Sequence, residues 1–261
     1  MKFFIPGLLS LFMVFSSVSY AQESVRIAVA ANFLATLKAL SKDFTAETGI
    51  RVDISNGASG MLYAQIKKGA PYDMFFSADS KRPELLEQEG LIEPGSRFTY
   101  VTGKLVSWSP DARKVSPNLM MLNANNNRLR FVAMANPKTA PYGAAALTVL
   151  KHYGVYDNLK ALNKIAISKN ICKTNHYAAS SNAQIGLVAK SYVSNPNRPV
   201  GGEAFEIPPE LYPALKQQAA VLKGRKSPQP AALLNSFNSD KEIQLIADHR
   251  SILWQCAPVI N

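Results

Sequence analysis

The sequence has little cysteine and little charge for its length. Only two of its 261 residues are cysteines, and Asp, Glu, Lys and Arg together make up 18%. Two cysteines exclude a scaffold held by many disulfides, and 47% hydrophobic residues exclude a disordered chain. The chain is long enough for one large domain or two lobes with ample core.

The charge that is present is mostly positive. Lys and Arg number 29 against 18 Asp and Glu, which gives a formal net charge of +11. Such a surplus is compatible with nucleic acid, an anionic surface or an anionic ligand, and also with solubility alone. Net charge does not choose among these.

The first 21 residues have the pattern of a secretory signal peptide. The basic start Met1-Lys2 precedes an apolar stretch at residues 3–15, and Ser19-Tyr20-Ala21 supplies small residues before a cut ahead of Gln22. A retained N-terminal anchor is the alternative, because small residues alone indicate the cut. No later segment approaches the ~20 apolar residues that a membrane span requires. We expect a periplasmic protein without membrane insertion, whose 240 mature residues carry a charge of +10 after the loss of Lys2.

The mature sequence alternates between strand and helix patterns. The β-rich runs of the first half fall at residues 25–30, 50–54, 73–78 and 104–109. After a polar stretch at 110–130, those of the second half fall at 131–135, 165–167 and 185–189. Helical spacing of apolar residues separates most of these runs. The alternation predicts parallel βαβ units and an α/β fold.

We expect this α/β chain to form two lobes. The predicted boundaries are 1–21 for the signal peptide, 22–109 for the first part of lobe I, 110–210 for lobe II, and 211–261 for the return to lobe I with C-terminal helices. A late strand pattern at 219–222 predicts the return, and closing helices are predicted at 231–237 and 241–249. Residues 194–209 are predicted to be mostly loop. Periodicity alone fits one larger sheet equally well.

Four loops are candidates for a ligand site. In open α/β sheets, ligands bind beyond the carboxyl ends of strands, where the N–H groups of helix N-termini point outward. The loops that fit this description contain Asn32, Ser59, Tyr142 and Ile171. Asn32 and Ser59 also suit plain helix caps. If two loops from each lobe converge, several N–H dipoles and a hydroxyl surround one point, which favours a compact oxyanion.

The sequence at these loops resembles a known family. The stretches NGASGMLYAQIKKGAPYDMFFSAD, ANPKTAPYGAAALTVLK and SSNAQIGLVAKS, after AVAANFLATLKALSKDFTAETGI, are similar to periplasmic molybdate-binding proteins of ABC-type importers. The resemblance covers nearly all of the mature chain, and its most specific part is GAPYDMFFSAD followed by NPKTAPYG. It implies a two-lobed type II periplasmic-binding-protein fold that closes on molybdate or tungstate.

The resemblance also implies a set of ligand-binding residues. The hydrogen-bonding positions of the family fall on Asn32 and Ser59 in the first lobe, and on Tyr142 and Ile171 in the second. At Ile171 a backbone N–H suffices. Some members add a tyrosine hydroxyl where this chain has Ala189, so that donor is missing and Tyr142 is a candidate to replace it.

The expected chemistry is recognition without catalysis. Neutral donors would hold the oxyanion, with no cofactor, no catalytic residue and no direct cation ligand, and the expected partners are the molybdate ion and the membrane permease of the importer. We expect a monomer that does not bind nucleic acid. The alternatives are a binding protein for sulfate, thiosulfate or phosphate, and a secreted hydrolase with Ser59 as nucleophile, although residue 61 is Met where GxSxG needs Gly.

Two further features are independent of the ligand. Cys172 and Cys256 are the only cysteines, and an even pair in an oxidising compartment can form a disulfide. Asp73 is expected to have a structural hydrogen-bonding role, because a carboxylate beside a bound dianion would repel it.

Overall fold

The computed structural model describes residues 24–194 and 200–224, together with Pro230 and Leu233. These residues form two α/β lobes, each built on its own five-stranded sheet. The α/β, two-lobed architecture predicted from the sequence is therefore confirmed, and the alternative of one larger sheet is wrong.

The sheet of the first lobe is mostly formed by the N-terminal part of the chain. Its strands are β1 (Ser24–Ala30), β2 (Arg51–Gly57), β3 (Met74–Ser77), β4 (Phe98–Gly103) and β10 (Leu215–Val221), in the spatial order β2-β1-β3-β10-β4. β1 is parallel to β2 and β3, whereas β10 is antiparallel to β3 and β4. The helices are α1 (Leu34–Thr48), α2 (Ser59–Lys67) and α3 (Lys81–Gln88), with a short 3₁₀ helix at Ala31–Phe33.

The sheet of the second lobe repeats this plan. Its strands are β5 (Leu105–Ser109), β6 (Val132–Ala135), β7 (Ile165–Ser168), β8 (Ile185–Ala189) and β9 (Glu203–Glu206), in the order β7-β6-β8-β5-β9. β6 is parallel to β7 and β8, and β5 is antiparallel to β8 and β9. The helices are α4 (Pro141–His152), α5 (Tyr156–Ala161) and α6 (Ile171–Ala179).

The chain crosses between the lobes earlier than predicted. β4 belongs to the first sheet and β5 to the second, so the first crossing lies at residue 104 and not after residue 109. The prediction was wrong because the change from apolar to polar sequence after Ser109 marks the end of β5, whereas the crossing lies inside a continuous β-rich stretch. The chain returns through residues 207–214 and enters β10.

Two strands, β4 and β9, escaped prediction. Both lie at sheet edges, and their side chains are largely half-buried or exposed. Such strands lack the continuous apolar run by which buried strands are recognised. As a result, β9 lies in the segment that the sequence predicted to be loop.

Helix α1 shows how the apolar pattern produces the packing. Leu34, Leu37, Leu40 and Phe44 recur at helical spacing and are all buried on one face, in the core cluster that includes strand residues of the first sheet. Gly49 ends the helix in the left-handed conformation with φ of 73°, and its N–H donates to Thr45 O. At its other end, α1 follows the carboxyl end of β1 and the candidate loop that contains Asn32.

Two sequence predictions lie outside the described residues: the signal peptide at 1–21 and, apart from Leu233, the closing helices at 231–237 and 241–249. Within the described part of the chain, no helix combines the length and apolar character needed to cross a membrane.

Candidate functional site

Helix N-termini from both lobes meet at one small cavity. Its lining comes from residues 30–32, 57–59 and 78 of the first lobe and from residues 140–142 and 170–171 of the second. These segments lead into the 3₁₀ helix before α1 and into α2, α4 and α6. The structure thus brings together the four residues singled out from the sequence, which are Asn32, Ser59, Tyr142 and Ile171.

The cavity is small. The volume open to the centre of a water molecule is about 10 Å³, which by this measure is about the space that one water molecule needs. Only a compact ligand fits a space of this kind. Both lobes contribute to its walls, so its size depends on how closely the lobes approach each other.

The lining of the cavity is electrically neutral. None of the described residues that line it is Asp, Glu, Lys, Arg or His. The N–H groups of the first helical turn have no partner inside their own helix, and each helix N-terminus carries a partial positive charge. Convergence of such termini creates a site for an anion without a cationic side chain.

Asn32 is buried and does not cap a helix. It lies in the 3₁₀ helix that follows β1, with 1% of its surface exposed, and its side chain makes no capping hydrogen bond. Asn32 Nδ2 donates to Gln217 Oε1 at 2.7 Å, while Asn32 Oδ1 is buried and has no hydrogen-bond partner among the described residues. The cap alternative is therefore wrong for Asn32.

Ser59 keeps a hydroxyl proton for an acceptor. It is the first residue of α2, it is buried, and it does not cap that helix. Its Oγ accepts a hydrogen bond from Ala78 N at 2.9 Å. Because a hydroxyl has one donor as well as acceptor capacity, its proton remains for a ligand in the cavity. The bond from Ala78 restricts where that proton can point.

Tyr142 lies at the cavity, but its hydroxyl is bound near the crossing between the lobes. It is the second residue of α4, after Pro141, and is buried. Its Oη accepts from Gln217 Nε2 at 3.2 Å, and it lies so close to Gly103 that an added Cβ there would overlap it. Burial raises the pKa of Tyr142, as does the negative charge that Tyr212 has when it is ionised, so the Tyr142 hydroxyl stays neutral. The N–H of Tyr142 has no partner inside α4 and is the group of this residue best suited to an anion.

Ile171 begins α6. The preceding Asn170 caps this helix, since its Oδ1 accepts from Lys173 N at 3.0 Å, and the N–H of Ile171 is therefore in the unpaired first turn. The next residue, Cys172, is buried and is not a free thiol. Its predicted disulfide partner Cys256 lies outside the described residues, so the pairing stays a prediction.

The two lobes touch beside the cavity. Gly60 N donates to Thr139 O at 2.8 Å, which joins α2 to the loop before α4. A Cβ at residue 60 would lie 2.9 Å from Thr139 O and 3.0 Å from the Arg82 guanidinium. Glycine is the residue that allows this approach. The cleft is therefore closed in this structure.

Two predicted side-chain roles can be compared with the structure. Asp73 is buried outside the cavity, and its Oδ2 accepts from Arg26 N at 2.7 Å, which agrees with the structural role expected for it. Ala189, at the end of β8, is buried and is not part of the cavity lining.

Sequence reasoning missed Gln217, which contacts two of the candidate residues. Its side chain binds both Asn32 and Tyr142, although it comes from β10, far along the chain from either. The available signal was the pair of glutamines in the strand LKQQAAV, since a polar side chain in a buried strand needs hydrogen-bond partners.

Most of the chain is similar to known extracellular solute-binding proteins. The family model of bacterial extracellular solute-binding proteins matches residues 25–249. The molybdate-binding protein ModA of Azotobacter vinelandii is 39% identical over 223 residues, which are 85% of this chain and 87% of the relative. ModA of Rhodobacter capsulatus is 40% identical over 227 residues, or 87% of each protein. The solved periplasmic molybdate-binding protein of Azotobacter vinelandii superposes with a TM-score of 0.79 at 36% identity, and the match covers 88% of this chain and 100% of that one.

Proposed function

The chain belongs to the bacterial extracellular solute-binding protein family, and from this premise we propose that it captures molybdate, and also tungstate, for delivery to an ABC-type import permease. The observation that carries the proposal is the neutral cavity at which helix N-termini from both lobes converge. Relatives named for molybdate binding at 39% and 40% identity support the choice of ion.

The donors around the cavity suit a fully ionised oxyanion. The backbone N–H groups of Ser59, Tyr142 and Ile171 and the Ser59 hydroxyl can each donate to an oxygen that carries part of a dianion's charge. Hydrogen bonds to an ionised acceptor are shorter and about twice as strong as neutral ones. A protonated oxyanion would also need an acceptor for its proton, and a site that offers donors disfavours it.

The size of the cavity has to separate molybdate from smaller ions of the same charge. Sulfate presents the same tetrahedral arrangement of oxygens, so hydrogen-bond type alone cannot distinguish the two, and the fit of the closed lobes must do so. We propose that the closed surface of the two lobes is also what the permease recognises. In this role the protein acts as a monomer.

Capture needs no covalent step and no cofactor. A hydrolase that used Ser59 as its nucleophile would need a base beside the hydroxyl. Within the described part of the chain, the lining of the cavity supplies no imidazole, carboxylate or amine, and the hydrogen bond to Ser59 Oγ comes from the backbone N–H of Ala78. We therefore infer binding and release of an unchanged ion.

Calorimetric titration of the mature protein tests the proposal. Molybdate, tungstate, sulfate and phosphate are titrated separately at one ionic strength. The proposal expects saturable binding of molybdate and tungstate, with much weaker binding of sulfate and phosphate. Equal response to all four ions, or none to molybdate, would overturn it.

Two substitutions test whether the cavity is the site. Ser59→Ala and Asn32→Ala should each weaken molybdate binding by roughly 10- to 150-fold, because a hydrogen bond to a charged group contributes roughly 1.5–3 kcal/mol. Ser41→Ala is the matched control, since Ser41 is a buried serine of the first lobe that lies in α1 away from the cavity. If both site variants bind as the control does, the ion binds elsewhere.

A further inference from the structure

Gln217 is a buried polar residue at the return of the chain to the first lobe. It lies in β10 with 1% of its surface exposed, two residues after Leu215, which pairs with Gly103 at the first crossing. The register of β10 against β4 shifts between Gln217 and Gln218. Irregularities of this kind often change the direction of a side chain near a functional site.

The side chain of Gln217 connects residues from both lobes. Its Oε1 lies 2.7 Å from Asn32 Nδ2 and 3.2 Å from Tyr100 Oη, and its Nε2 donates to Tyr142 Oη at 3.2 Å. Asn32 and Tyr100 belong to the first lobe and Tyr142 to the second. One carboxamide therefore contacts a candidate ligand residue in each lobe.

The hydrogen bonds of this cluster are not all satisfied. Asn32 Oδ1 is buried and has no partner among the described residues. Tyr100 Oη lies within reach of both Ser77 O, at 3.1 Å, and Gln217 Oε1, although its single proton can serve only one of them. A buried acceptor without a partner costs about 1–3 kcal/mol, and a carbonyl oxygen would repel an oxyanion.

Rotating both carboxamides by half a turn removes these conflicts. Oxygen and nitrogen then exchange places, so that Gln217 Nε2 donates to Asn32 Oδ1 and to Tyr100 Oη, and Tyr142 Oη donates to Gln217 Oε1. Tyr100 gives its proton to Ser77 O alone. Asn32 Nδ2 then takes the position that its oxygen held and is free to donate, and Asn32 is one of the residues that line the cavity.

We propose that Gln217 is a positioning residue of the anion site, and that the molybdate-bound protein has both carboxamides in this rotated arrangement. Gln217 decides whether Asn32 presents a donor or an acceptor to the ion. The inference rests on the proposed function, because the bound oxyanion is the acceptor for the Asn32 amide in the rotated arrangement. Gln217 thereby connects the ion, through Asn32, with Tyr142 of the second lobe.

Affinity measurements test the role of Gln217. Gln217→Met keeps the length of the side chain and removes both hydrogen-bonding atoms, and we expect molybdate to bind at least about tenfold more weakly. Gln218→Met is the matched control, because the neighbouring Gln218 is also buried but bonds to Thr99 and Arg97 instead of the candidate ligand residues. It should bind within about twofold of the parent protein. Thermal unfolding of both variants verifies that they are folded.

A spectroscopic measurement separates positioning from simple packing. The side-chain amide signal of Asn32 in an ¹⁵N–¹H spectrum, assigned by its loss in Asn32→Asp, should shift when the parent protein is saturated with molybdate. In Gln217→Met the shift should be smaller at saturation. A mere packing role would lower stability without altering this signal.

The outcomes distinguish the two proposals. If the parent protein does not bind molybdate, the proposed function fails and the role of Gln217 fails with it. If the parent binds molybdate but Gln217→Met binds equally well, or if the Asn32 amide signal does not move on binding, the function stands and the inference about Gln217 is overturned.

Discussion

Gly60 offers a substitution that should affect binding and stability in opposite directions. It is the second residue of α2 and lies at the contact between the lobes, where its N–H donates to Thr139 O. Gly60→Ala places a methyl group 2.9 Å from Thr139 O and 3.0 Å from the guanidinium of Arg82. Favourable contacts between carbon atoms lie at about 3.5–4.0 Å, so the closed lobes would have to move apart by some tenths of an ångström.

The cost of this substitution falls on the closed state. Overpacking a well-packed contact costs about 1–3 kcal/mol, and loss of the hydrogen bond to Thr139 adds about 0.5–1.5 kcal/mol. When the lobes are apart, neither the overpacking nor the lost hydrogen bond costs anything. Alanine also stabilises a helix relative to glycine by up to about 1 kcal/mol. We expect molybdate affinity to fall by roughly 10- to 1,000-fold, while the melting temperature without ligand stays unchanged or rises.

Calorimetric titration with molybdate, combined with thermal unfolding without ligand, measures both effects. Met61→Ala is a suitable control, because Met61 is the next residue of the same helix and is half exposed. Its affinity should stay near that of the parent protein. Undiminished affinity in Gly60→Ala would refute the argument that this contact forms when the ion is bound. A large loss of ligand-free stability would show that the contact already exists without ligand.

Three other substitutions test the surroundings of the site. Tyr142→Phe removes the hydroxyl bound near the crossing between the lobes and should lower the free energy of unfolding by about 0.5–1.5 kcal/mol, while molybdate still binds; abolished binding would show that the hydroxyl holds the ion. In Gly143→Ala the new methyl would lie 2.7 Å from the carbonyl carbon of Ala135, so we expect thermal unfolding to show a loss of about 1–3 kcal/mol or more, and an unchanged melting temperature would contradict this packing. Burial raises the pKa of Tyr100 and of Tyr192 above the usual value; since the unfolded chain then loses these protons first, stability should fall as pH rises beyond about 10. In Tyr100→Phe, the free energy of unfolding from denaturant titrations should fall less steeply with pH. A pH profile identical to that of the parent protein would refute the claim that burial raises the pKa of Tyr100.

Much of the fold could be predicted because local pattern and tertiary structure agree. β1 and β8 lie close to their predicted positions, and α1 and α4 lie between predicted strands as the helical spacing indicated, since each buries one continuous apolar face or run. The same agreement led to the candidate loops that meet at the cavity, because a strand followed by a helix N-terminus positions backbone N–H groups irrespective of most side chains. The motif P-Y-G is an example: Pro141 begins α4, and Gly143 allows the helix to approach Ala135 closely.

The features that could not be predicted depend on how distant segments align. The crossing at residue 104 follows from which sheet β4 and β5 join, and both strands have short β-rich sequences that fit either sheet. Gln217 reaches Asn32 across 185 residues of sequence, and its direction depends on a register shift in β10. Periodicity describes which face of a strand is buried, but it does not indicate which polar groups meet there.

The positive charge of the chain and its recognition site are physically separate. Among the residues that the structure describes, none with a charged side chain lines the cavity, and Arg82, the cation beside Gly60, forms an ion pair with Asp79. The surplus of Lys and Arg therefore acts on an approaching anion at long range, where salt screens it over about 10 Å at 0.1 M. At the cavity, an oxyanion bound as we propose would meet helix N-termini and neutral donors, which salt screens much less. In the proposed function, charge affects how fast an oxyanion arrives, while the fit among Asn32, Ser59, Tyr142 and Ile171 selects which oxyanion stays.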